Sequence, residues 1–405
     1  MYDETTIGAR LRTLRRWRGM TLAEVAGLAG VSVSFLSMAE RGQRALDRRS
    51  YIAALASALR VSETDIVGGP HLSSDPVQAG PHTAIPAMRV ALQTNTLAQP
   101  AQDEARPLDE LVEAAHQLQE AFSRCDYVEL GKQLPAVLDE LHVHAAMPAD
   151  EQAQKLALET LIEACYFATF RMKDLGYADL AYQAAARAEE AARLLDDPVA
   201  IGKAAYCRIQ TMPREGSWSR TLTAAERAAD ALQPSAADPA GIQVLGMLTL
   251  TASLSAAVEH KFDTSRTWMD EARALAARIP DTPGSSWASF SATNVAIWGV
   301  AIAVESGEHG GAVLEQARAV NQTVLAPIRS RYASFLVDVG RGLARDPKTG
   351  PAALPWLLKA ESVAPQRIRN SATVRETVAV MMEQARVAAL GRELRGMASR
   401  MGMPH

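Results

Sequence analysis

The sequence predicts an all-α protein in which a small N-terminal domain precedes a long array of helical hairpins. Three observations lead to this prediction. Apolar residues recur at helical spacing, aromatic residues make up only 5% of the chain, and similar alanine-rich segments recur through the C-terminal part. Alanine is the best helix former, and the β-branched residues that favour strands are sparse. A length of 405 residues suits two or three domains, or one domain with a repeat array.

The first three predicted helices are short and have clear ends. The first ends at Gly19, and its apolar residues lie three or four positions apart: Ile7, Leu11 and Leu14. Thr21 and Glu24 have the spacing of a capping box, which begins a second helix. Gly30 ends that helix, and Ser32 can cap the third.

Two more helices complete the first domain, which we place at residues 1–67. The fourth helix has one apolar stripe: Tyr51, Ile52, Leu55, Ala56 and Leu59. Ser62 and Asp65 repeat the capping-box spacing and begin a short fifth helix. Residues 68–107 contain six prolines with several Gly and Ser, and they predict a Pro/Gly-rich linker with room for a short helix over 87–97.

Residues 108–405 are predicted to be helical almost throughout, with an internal repeat. Five segments share an alanine, and aligning it gives spacings of 37, 44, 45 and 43 residues: Ala191, Ala228, Ala272, Ala317 and Ala360. Stacked helical hairpins need a small residue where the next helix approaches. The alternative is that alanine-rich helices resemble one another by composition alone, but the regular spacing favours a repeat.

Residues 22–41 fit the geometry of a helix-turn-helix, in which two helices cross at a steep angle. Ala26 supplies the small residue at the crossing, and Gly30 supplies a turn residue that tolerates positive φ. Three positions supply the apolar contacts between the helices: Val25, Val31 and Leu36. Several constraints are met within twenty residues, which favours this motif over three unrelated short helices.

Residues 7–67 resemble the lambda-repressor-like, XRE (Cro-type) DNA-binding domain through "IGARLRTLRRWRGMT", "LAEVAGLAGVSVSFLSMAERG" and "YIAALASALRVSETDI". The resemblance implies five helices, the third of which enters the DNA major groove. Residues 108–403 resemble the degenerate tetratricopeptide-like (TPR-like) arrays behind such domains in actinobacterial regulators and in peptide-sensing regulators of Gram-positive bacteria. This second resemblance is to an architecture, and it implies a right-handed α-solenoid for sensing or dimerisation.

On a helical wheel, the third helix has an expected core side at Ser32, Phe35, Leu36 and Ala39. The opposite side centres on Ser34, Ser37 and Arg41, with Val33 and Met38 on its flanks. Serine bonds several bases, and valine or methionine contacts a thymine methyl. Alternatively, Val33 and Met38 pack against neighbouring helices. The full set of candidate DNA contacts is Arg16, Thr21, Ser32, Val33, Ser34, Ser37, Met38, Arg41, Gln43 and Arg44.

Polar base readout is sparse, because Leu22 stands where the family favours a DNA-contacting glutamine. Arginines are abundant instead, in two groups: Arg10, Arg12, Arg15, Arg16 and Arg18 near the first helix, and Arg41, Arg44, Arg48 and Arg49 after the third. Such clusters are often merely solvated, but beside a helix-turn-helix we expect phosphate contacts, particularly from Arg41 and Arg44. Residues 1–70 carry a net charge of +3 within a total of −4, which suits a basic DNA-binding domain on an acidic body.

A helical array offers a concave surface for a peptide, a small ligand or a partner chain. The candidate lining residues are polar or aromatic: Tyr166, Arg171, Tyr206, Arg208, Asn294 and Trp298. Asn294 and Trp298 lie four positions apart on one helical face. The alternative for each of the six is a structural or merely exposed role.

Several other functions find no support in the sequence. It contains no P-loop, GxSxG or HExxH motif, so we expect no enzyme and no cofactor. His142 and His144 lack a third ligand at metal spacing, so we expect surface histidines and no metal. Three widely spaced cysteines should stay reduced: Cys125, Cys165 and Cys207. We take the longest apolar run to be 295–304, too short for a bilayer, and expect a cytoplasmic protein without membrane contact.

We therefore expect a sequence-specific, DNA-binding transcriptional regulator. It would bind double-stranded operator DNA as a homodimer, with half-sites about one helical turn apart. Its TPR-like domain would bind a small ligand or peptide and modulate operator binding through the curvature of the array. The alternative is a protein–protein adaptor with a TPR-like array and a weak or vestigial DNA-binding module, which the sparse polar readout supports.

Overall fold

The N-terminal domain consists of five short helices. The computed structural model describes residues 6–71, 76–214, 217–385 and 391–403, and every regular element within these ranges is a helix. The first five are α1 (Ile7–Trp17), α2 (Leu22–Ala29), α3 (Val33–Glu40), α4 (Arg49–Leu59) and α5 (Glu63–Val67). The predicted all-α class and the five N-terminal helices are confirmed.

Both predicted capping boxes are present. The hydroxyl of Thr21 accepts a hydrogen bond from the backbone N–H of Glu24, and the Glu24 carboxylate accepts one from the backbone N–H of Thr21 (2.7 Å). Ser62 and Asp65 form the same reciprocal pair at the start of α5. Each box satisfies N–H groups that have no partner within the helix, which explains why α2 and α5 begin at these residues.

Helices α2 and α3 form the predicted helix-turn-helix, and their axes differ in direction by 114°. Gly30 adopts the left-handed conformation (φ 65°) that the turn requires, at no steric cost. Ala26 is 1% exposed and lets the two helices approach closely. Val25 and Leu36 are fully buried in the domain core, and Val31 packs at its edge. The apolar contacts are therefore those that the sequence predicts.

The rest of the chain folds into a body of helices, many of which pack as consecutive pairs. Two short helices follow α5, namely α6 (Pro76–Ala79) and α7 (Ile85–Thr94). From Leu108 onward they are α8 (Leu108–Ser123), α9 (Tyr127–Ala146), α10 (Glu151–Asp174), α11 (Ala178–Leu195), α12 (Pro198–Thr211), α13 (Ser219–Leu232), α14 (Pro239–Val258), α15 (Phe262–Ala276), α16 (Ala292–Ser306), α17 (Gly311–Arg318), α18 (Gln322–Leu325), α19 (Arg329–Ala344), α20 (Gly350–Val363), α21 (Pro365–Asn370), α22 (Ala372–Ala385) and α23 (Arg392–Arg400). Short 3₁₀ segments lie at Gln233–Ser235 and Trp287–Ser289. Helices α10, α12, α14, α16 and α19 contact one another in that order, and so form a continuous row.

The five aligned alanines occupy equivalent places in this body. Each lies on the second helix of a pair, on α11, α13, α15, α17 and α20 in turn. Ala228 is half-buried, and the other four are buried: Ala191, Ala272, Ala317 and Ala360. The repeat seen in the sequence therefore corresponds to a pair of helices with a small residue at a packed position.

The Pro-rich segment after α5 is more structured than the sequence indicates. It contains α6 (Pro76–Ala79), a 3₁₀ segment (Gly80–His82) and α7 (Ile85–Thr94). The predicted short helix thus begins at Ile85 and ends at Thr94. Met88, Ala91 and Leu92 are buried on α7, which packs against α9 and α11. Part of the expected linker is therefore fixed to the helical body.

Helix α14 corrects the prediction about apolar runs. By length and composition it is able to cross a membrane, and 94% of its apolar window is buried inside the fold. The sequence prediction chose 295–304 as the longest run and overlooked 239–258, which hydroxyl residues interrupt. Most of those hydroxyls bond carbonyl groups one turn back, as in Thr251 to Met247 and Ser255 to Thr251 (2.8 Å each), and Ser253 donates to the carbonyl of Ser265 on α15 (2.8 Å). The segment is a core helix of this body.

The prediction of surface histidines is wrong for His142, which is 1% exposed on α9. Its Nδ1 lies 2.7 Å from the carbonyl oxygen of Leu138, and burial lowers the pKa of the ring. His144 is half-buried, with Nε2 2.7 Å from the carbonyl oxygen of Arg106. The three cysteines are buried free thiols. The structure therefore gives His142 a packing position in the core.

Candidate nucleic-acid interface and the adjoining cavity

Helix α3 has an outward side that we call the reading face, made of Val33, Ser34, Ser37 and Met38. Val33 is 47% exposed, Ser34 is exposed, and the other two are half-buried. The hydroxyl of Ser34 lies 3.9 Å from the sulfur of Met38 one turn later. Because Val33 remains so exposed, the alternative in which it packs against a neighbouring helix loses its support.

The opposite side of α3 holds the helix in place. Phe35, Leu36 and Ala39 are buried, as the helical wheel predicts. Ser32 is an exception, because it is exposed and precedes the helix. Its hydroxyl accepts a hydrogen bond from the backbone N–H of Phe35 (3.1 Å) and so caps α3. The wheel placed Ser32 on the core side because it treated a capping residue as part of the helix.

Arg41 caps the C-terminal end of α3 and lies next to the reading face. Its Nη1 donates to the hydroxyl oxygen of Ser37 (2.5 Å), and its Nε donates to Oε1 of Gln43 (3.1 Å). Arg41 and Gln43 are exposed. The guanidinium is therefore held beside the serine that we expect to meet a base edge, while the Ser37 hydroxyl proton stays available for donation.

The remaining candidate contacts lie around this face. The Arg44 guanidinium lies 5.0 Å from the centre of the Phe35 ring and is otherwise exposed. Arg16 is exposed at the end of α1, and Thr21 is exposed at the start of α2. The Thr21 hydroxyl already bonds the Glu24 carboxylate (2.8 Å), so its capping role limits what it can offer to a phosphate.

Besides Arg41, five of the arginines noted in the sequence are held by acceptors of the protein itself. Three make contacts inside the N-terminal domain: Arg10 with the carbonyl of Ile66, Arg15 with Glu40, and Arg18 with the carbonyl of Leu59. Arg48 and Arg49 bind Glu305 of the helical body. The arginines of the two groups that stay exposed are Arg12, Arg16, Arg18, Arg41 and Arg44.

A buried ion cluster joins the N-terminal domain to α16 and α19; it consists of Asp47, Arg49, Glu305, Arg341 and Arg345. Arg341 lies 3.2 Å from the Asp47 carboxylate and 3.1 Å from that of Glu305. Arg345 binds Asp47 (3.0 Å), and Arg49 binds Glu305 (2.8 Å). Burial opposes the charge of Glu305, but its three arginine neighbours outweigh burial and lower its pKa to about 2. Glu305 is therefore ionised throughout the physiological range.

Two further contacts complete the docking of the N-terminal domain. The buried carboxylate of Glu376 on α22 accepts hydrogen bonds from the backbone N–H groups of Ile7 (2.9 Å) and Leu46 (3.3 Å). Burial raises the pKa of Glu376 to about 7. Ala53 of α4 packs with Trp218 in an apolar cluster that also includes residues of α14. The N-terminal domain is thus fixed to the body through residues other than those of the reading face.

A cavity of about 450 Å³ lies between this docked domain and the row of helices. Of the six candidate ligand contacts, Tyr166, Tyr206 and Trp298 line it. Tyr166 and Tyr206 both contact the ring of Trp287, with ring centres 5.3 and 5.4 Å apart. The structure therefore brings half of the predicted set together around one space.

The other three candidates lie elsewhere. Arg171 is fully buried and donates to the carbonyl of Pro81 (2.8 Å), and Asn294 is 1% exposed with its amide 3.5 Å from the Met247 sulfur. Arg208 binds Glu189 on α11 (2.9 Å). Residue type alone selected these side chains, and the sequence does not indicate which side of a helix faces the cavity.

Sequence reasoning missed several lining residues. Lys173, Arg214, Trp218 and Trp287 line the cavity from the body, and four more residues line it from α4 and α5: Arg49, Ile52, Glu63 and Val67. One signal was available, because the chain has only six tryptophans and two of them stand in Gly/Ser-rich loop segments. A large apolar indole in such a loop is usually buried by contact with residues from another part of the chain.

Residues 6–66 match a family model described as a helix-turn-helix domain. The match spans α1 to α5 and ends one residue before the end of α5. Among curated proteins and among solved structures, no match to the chain is found. The N-terminal region is therefore a helix-turn-helix domain, and its presence points to a DNA-binding regulator.

Proposed function

We propose that this protein is a sequence-specific transcriptional regulator of the XRE type, which binds double-stranded operator DNA and has no catalytic activity. One observation carries the proposal. Val33 and Ser34 of the reading face are exposed, while the domain is docked on the helical body through other residues, Ile7, Leu46 and Asp47. A buried reading face would have prevented the contacts by which such a helix enters the major groove.

Phosphate contacts complete the proposed interface. Arg41 and Arg44 follow the reading face, and Arg12 and Arg16 are exposed on α1. Contacts of this kind fix the register of the domain on the duplex without reading its sequence. The sparse polar groups on α3 predict modest direct readout, some preference for thymine, and reliance on DNA shape or half-site spacing.

We infer further that the protein acts as a cytoplasmic homodimer and that residues 108–405 form a TPR-like, right-handed solenoid. The repeated helical pairs, with four of the five aligned alanines buried, support the solenoid. A small ligand or peptide in the concave surface would change the curvature of the array. Because the ion cluster ties the N-terminal domain to α16 and α19, such a change would move the reading face with the body.

The decisive experiment selects bound fragments from the source genome and then measures their retention in a gel shift at physiological salt. We expect retention of a two-fold site with half-sites about one helical turn apart, bound by a dimer in sedimentation analysis. Binding that ignores sequence and disappears with a modest rise in salt would contradict the proposal. That result would favour the adaptor with a weak or vestigial DNA-binding module.

Replacing Ser34 and Ser37 together by alanine tests the reading face. We expect the preference for the selected site over a mismatched site to fall about thirtyfold, because the two lost hydrogen bonds contribute about 1 kcal/mol each. Competition gel shifts with both sites measure this ratio. The affinity for the mismatched site should stay nearly unchanged.

Arg44→Ala is the matched control for that pair of serines. It should weaken binding to both sites by a similar factor and reduce the slope of affinity against salt by about one. If Arg44→Ala relaxes specificity more than the double serine variant does, then base contacts lie elsewhere than on the reading face.

A further inference from the structure

The cavity beneath the N-terminal domain has an aromatic wall. Trp287 stands at its centre and contacts both Tyr166 and Tyr206, and the Phe170 ring stacks near Tyr206 with centres 5.7 Å apart. Trp218 and Trp298 line other parts of the same space. A volume of about 450 Å³ lies within the range of small-molecule sites, which are mostly apolar with a few placed polar groups.

Hydrogen-bond donors in this cavity lack acceptors. Within the described residues, three buried nitrogens that belong to its lining have no hydrogen-bond partner: Nε of Arg214, Nε1 of Trp218 and Nε1 of Trp287. Lys173 donates to the neutral amide oxygen of Gln210 (3.1 Å). The Lys173 side chain lines the cavity and is exposed to solvent. A buried donor without an acceptor is costly, so the three unpartnered nitrogens favour a ligand that brings acceptor oxygens.

The acids around the cavity do not meet this need. Three of them already have donors: Asp174 binds the hydroxyl of Tyr127 (2.5 Å) and lies 3.6 Å from Arg367, Glu163 binds Lys203 (2.5 Å), and Asp338 binds Arg341 (3.1 Å). Glu63 is the fourth, and burial raises its pKa, which favours the neutral acid. Lys173 and Arg214 therefore remain as cations beside an aromatic wall.

We propose that this cavity binds a small organic anion, a carboxylate or sulfonate carried on a flat apolar body. The anionic oxygens would accept from Lys173, Arg214 and the two indole N–H groups, while the apolar body packs on Trp287 and Tyr206. The assignment rests on the ligand-binding part of the proposed function and names the class of ligand. Because α4 and α5 line the same cavity, the bound anion contacts the DNA-binding domain as well as the body.

The test uses two probes that differ in one group, 8-anilinonaphthalene-1-sulfonate and its uncharged analogue N-phenyl-1-naphthylamine. We expect the full chain to bind one sulfonate probe, with quenching of tryptophan fluorescence. Lys173→Gln combined with Arg214→Gln should weaken binding of the sulfonate about tenfold to a hundredfold, the loss expected for charge-assisted hydrogen bonds. Binding of the uncharged probe should change less than twofold.

The matched control removes two positive charges from the surface, Arg124→Gln with Lys132→Gln, whose side chains are 49% and 65% exposed. This control variant should bind both probes with the affinity of the wild type. The proposal is overturned if the sulfonate binds no tighter than its uncharged analogue, or if the control variant loses as much affinity as the cavity variant. Urea unfolding of every variant shows whether a lost signal reflects a lost fold.

Operator binding without probe separates this proposal from the proposed function. Suppose that the wild-type chain binds the sulfonate probe in the expected charge-dependent way and yet binds no DNA site specifically. That result contradicts the proposed regulator and leaves the cavity assignment unaffected. A chain that retains its operator but shows no charge-dependent probe binding contradicts the cavity assignment alone.

Discussion

Replacing Gly8 by alanine is expected to destabilise the N-terminal domain by about 3 kcal/mol or more, the upper part of the range for overpacked cores. A Cβ on Gly8 would lie 2.1 Å from the backbone carbonyl oxygen of Ala39, at the end of α3. A backbone oxygen cannot rotate away as a side chain does, so α1 and α3 must separate. The cost exceeds the gain in helix propensity of about 1 kcal/mol that alanine brings elsewhere in a helix.

Gly27→Ala provides the control. Gly27 lies within α2, and a Cβ added there would meet no described atom within 4 Å beyond its chain neighbours and the backbone of its own helix. We expect this variant to be more stable than the wild type by about 0.5–1 kcal/mol. Urea unfolding followed by circular dichroism measures both changes. If both variants shift stability in the same direction, the close contact between α1 and α3 is not as the structure describes it.

Replacing Arg341 by methionine should cost about 3–5 kcal/mol, the range for removing one partner of a buried ion pair. Arg341 is 4% exposed and contacts Asp47, Glu305 and Asp338. Burial disfavours its charge, but these three carboxylates outweigh burial and raise its pKa. The variant leaves carboxylates buried without that partner, and the N-terminal domain should then separate from the body. Hydrogen exchange measured by mass spectrometry should show faster exchange in α4.

Arg318→Met removes an arginine from a surface pair and serves as the comparison. Its side chain is 74% exposed and that of its partner Glu315 is 67% exposed. We expect a change within about 0.5 kcal/mol, because solvent screens such pairs. If Arg341→Met loses no more stability than Arg318→Met, then the ion cluster does not hold the N-terminal domain on the helical body.

The helix-turn-helix could be predicted because its constraints are local. The capping residues Thr21 and Ser62 lie within three positions of their partners, and Gly30 alone supplies the left-handed turn. The two sides of α3 also follow from helical periodicity, apart from Ser32, which was expected on the core side and is a cap. The repeat of helical pairs was visible for the same reason, since a small residue is needed at one packed position in each pair.

The docking of the N-terminal domain could not be predicted in this way. Asp47 and Arg341 are separated by 294 positions, and in the sequence each looks like a charge on a solvated surface. Arg48 and Arg49 illustrate the same problem. They stand beside the recognition helix as phosphate contacts usually do, yet both bind Glu305. No periodicity relates residues whose contact depends on how two folded units meet.

The sequence by itself determined the helical class, the five N-terminal helices and the outward residues of α3. Local hydrogen bonds and apolar spacing govern all of these. Only the tertiary structure decided which arginines remain exposed and which aromatic residues share a cavity. Those outcomes depend on contacts between distant segments, because a charge that loses water there needs a partner from elsewhere in the chain. The same contacts bring Lys173 and Arg214 to one cavity.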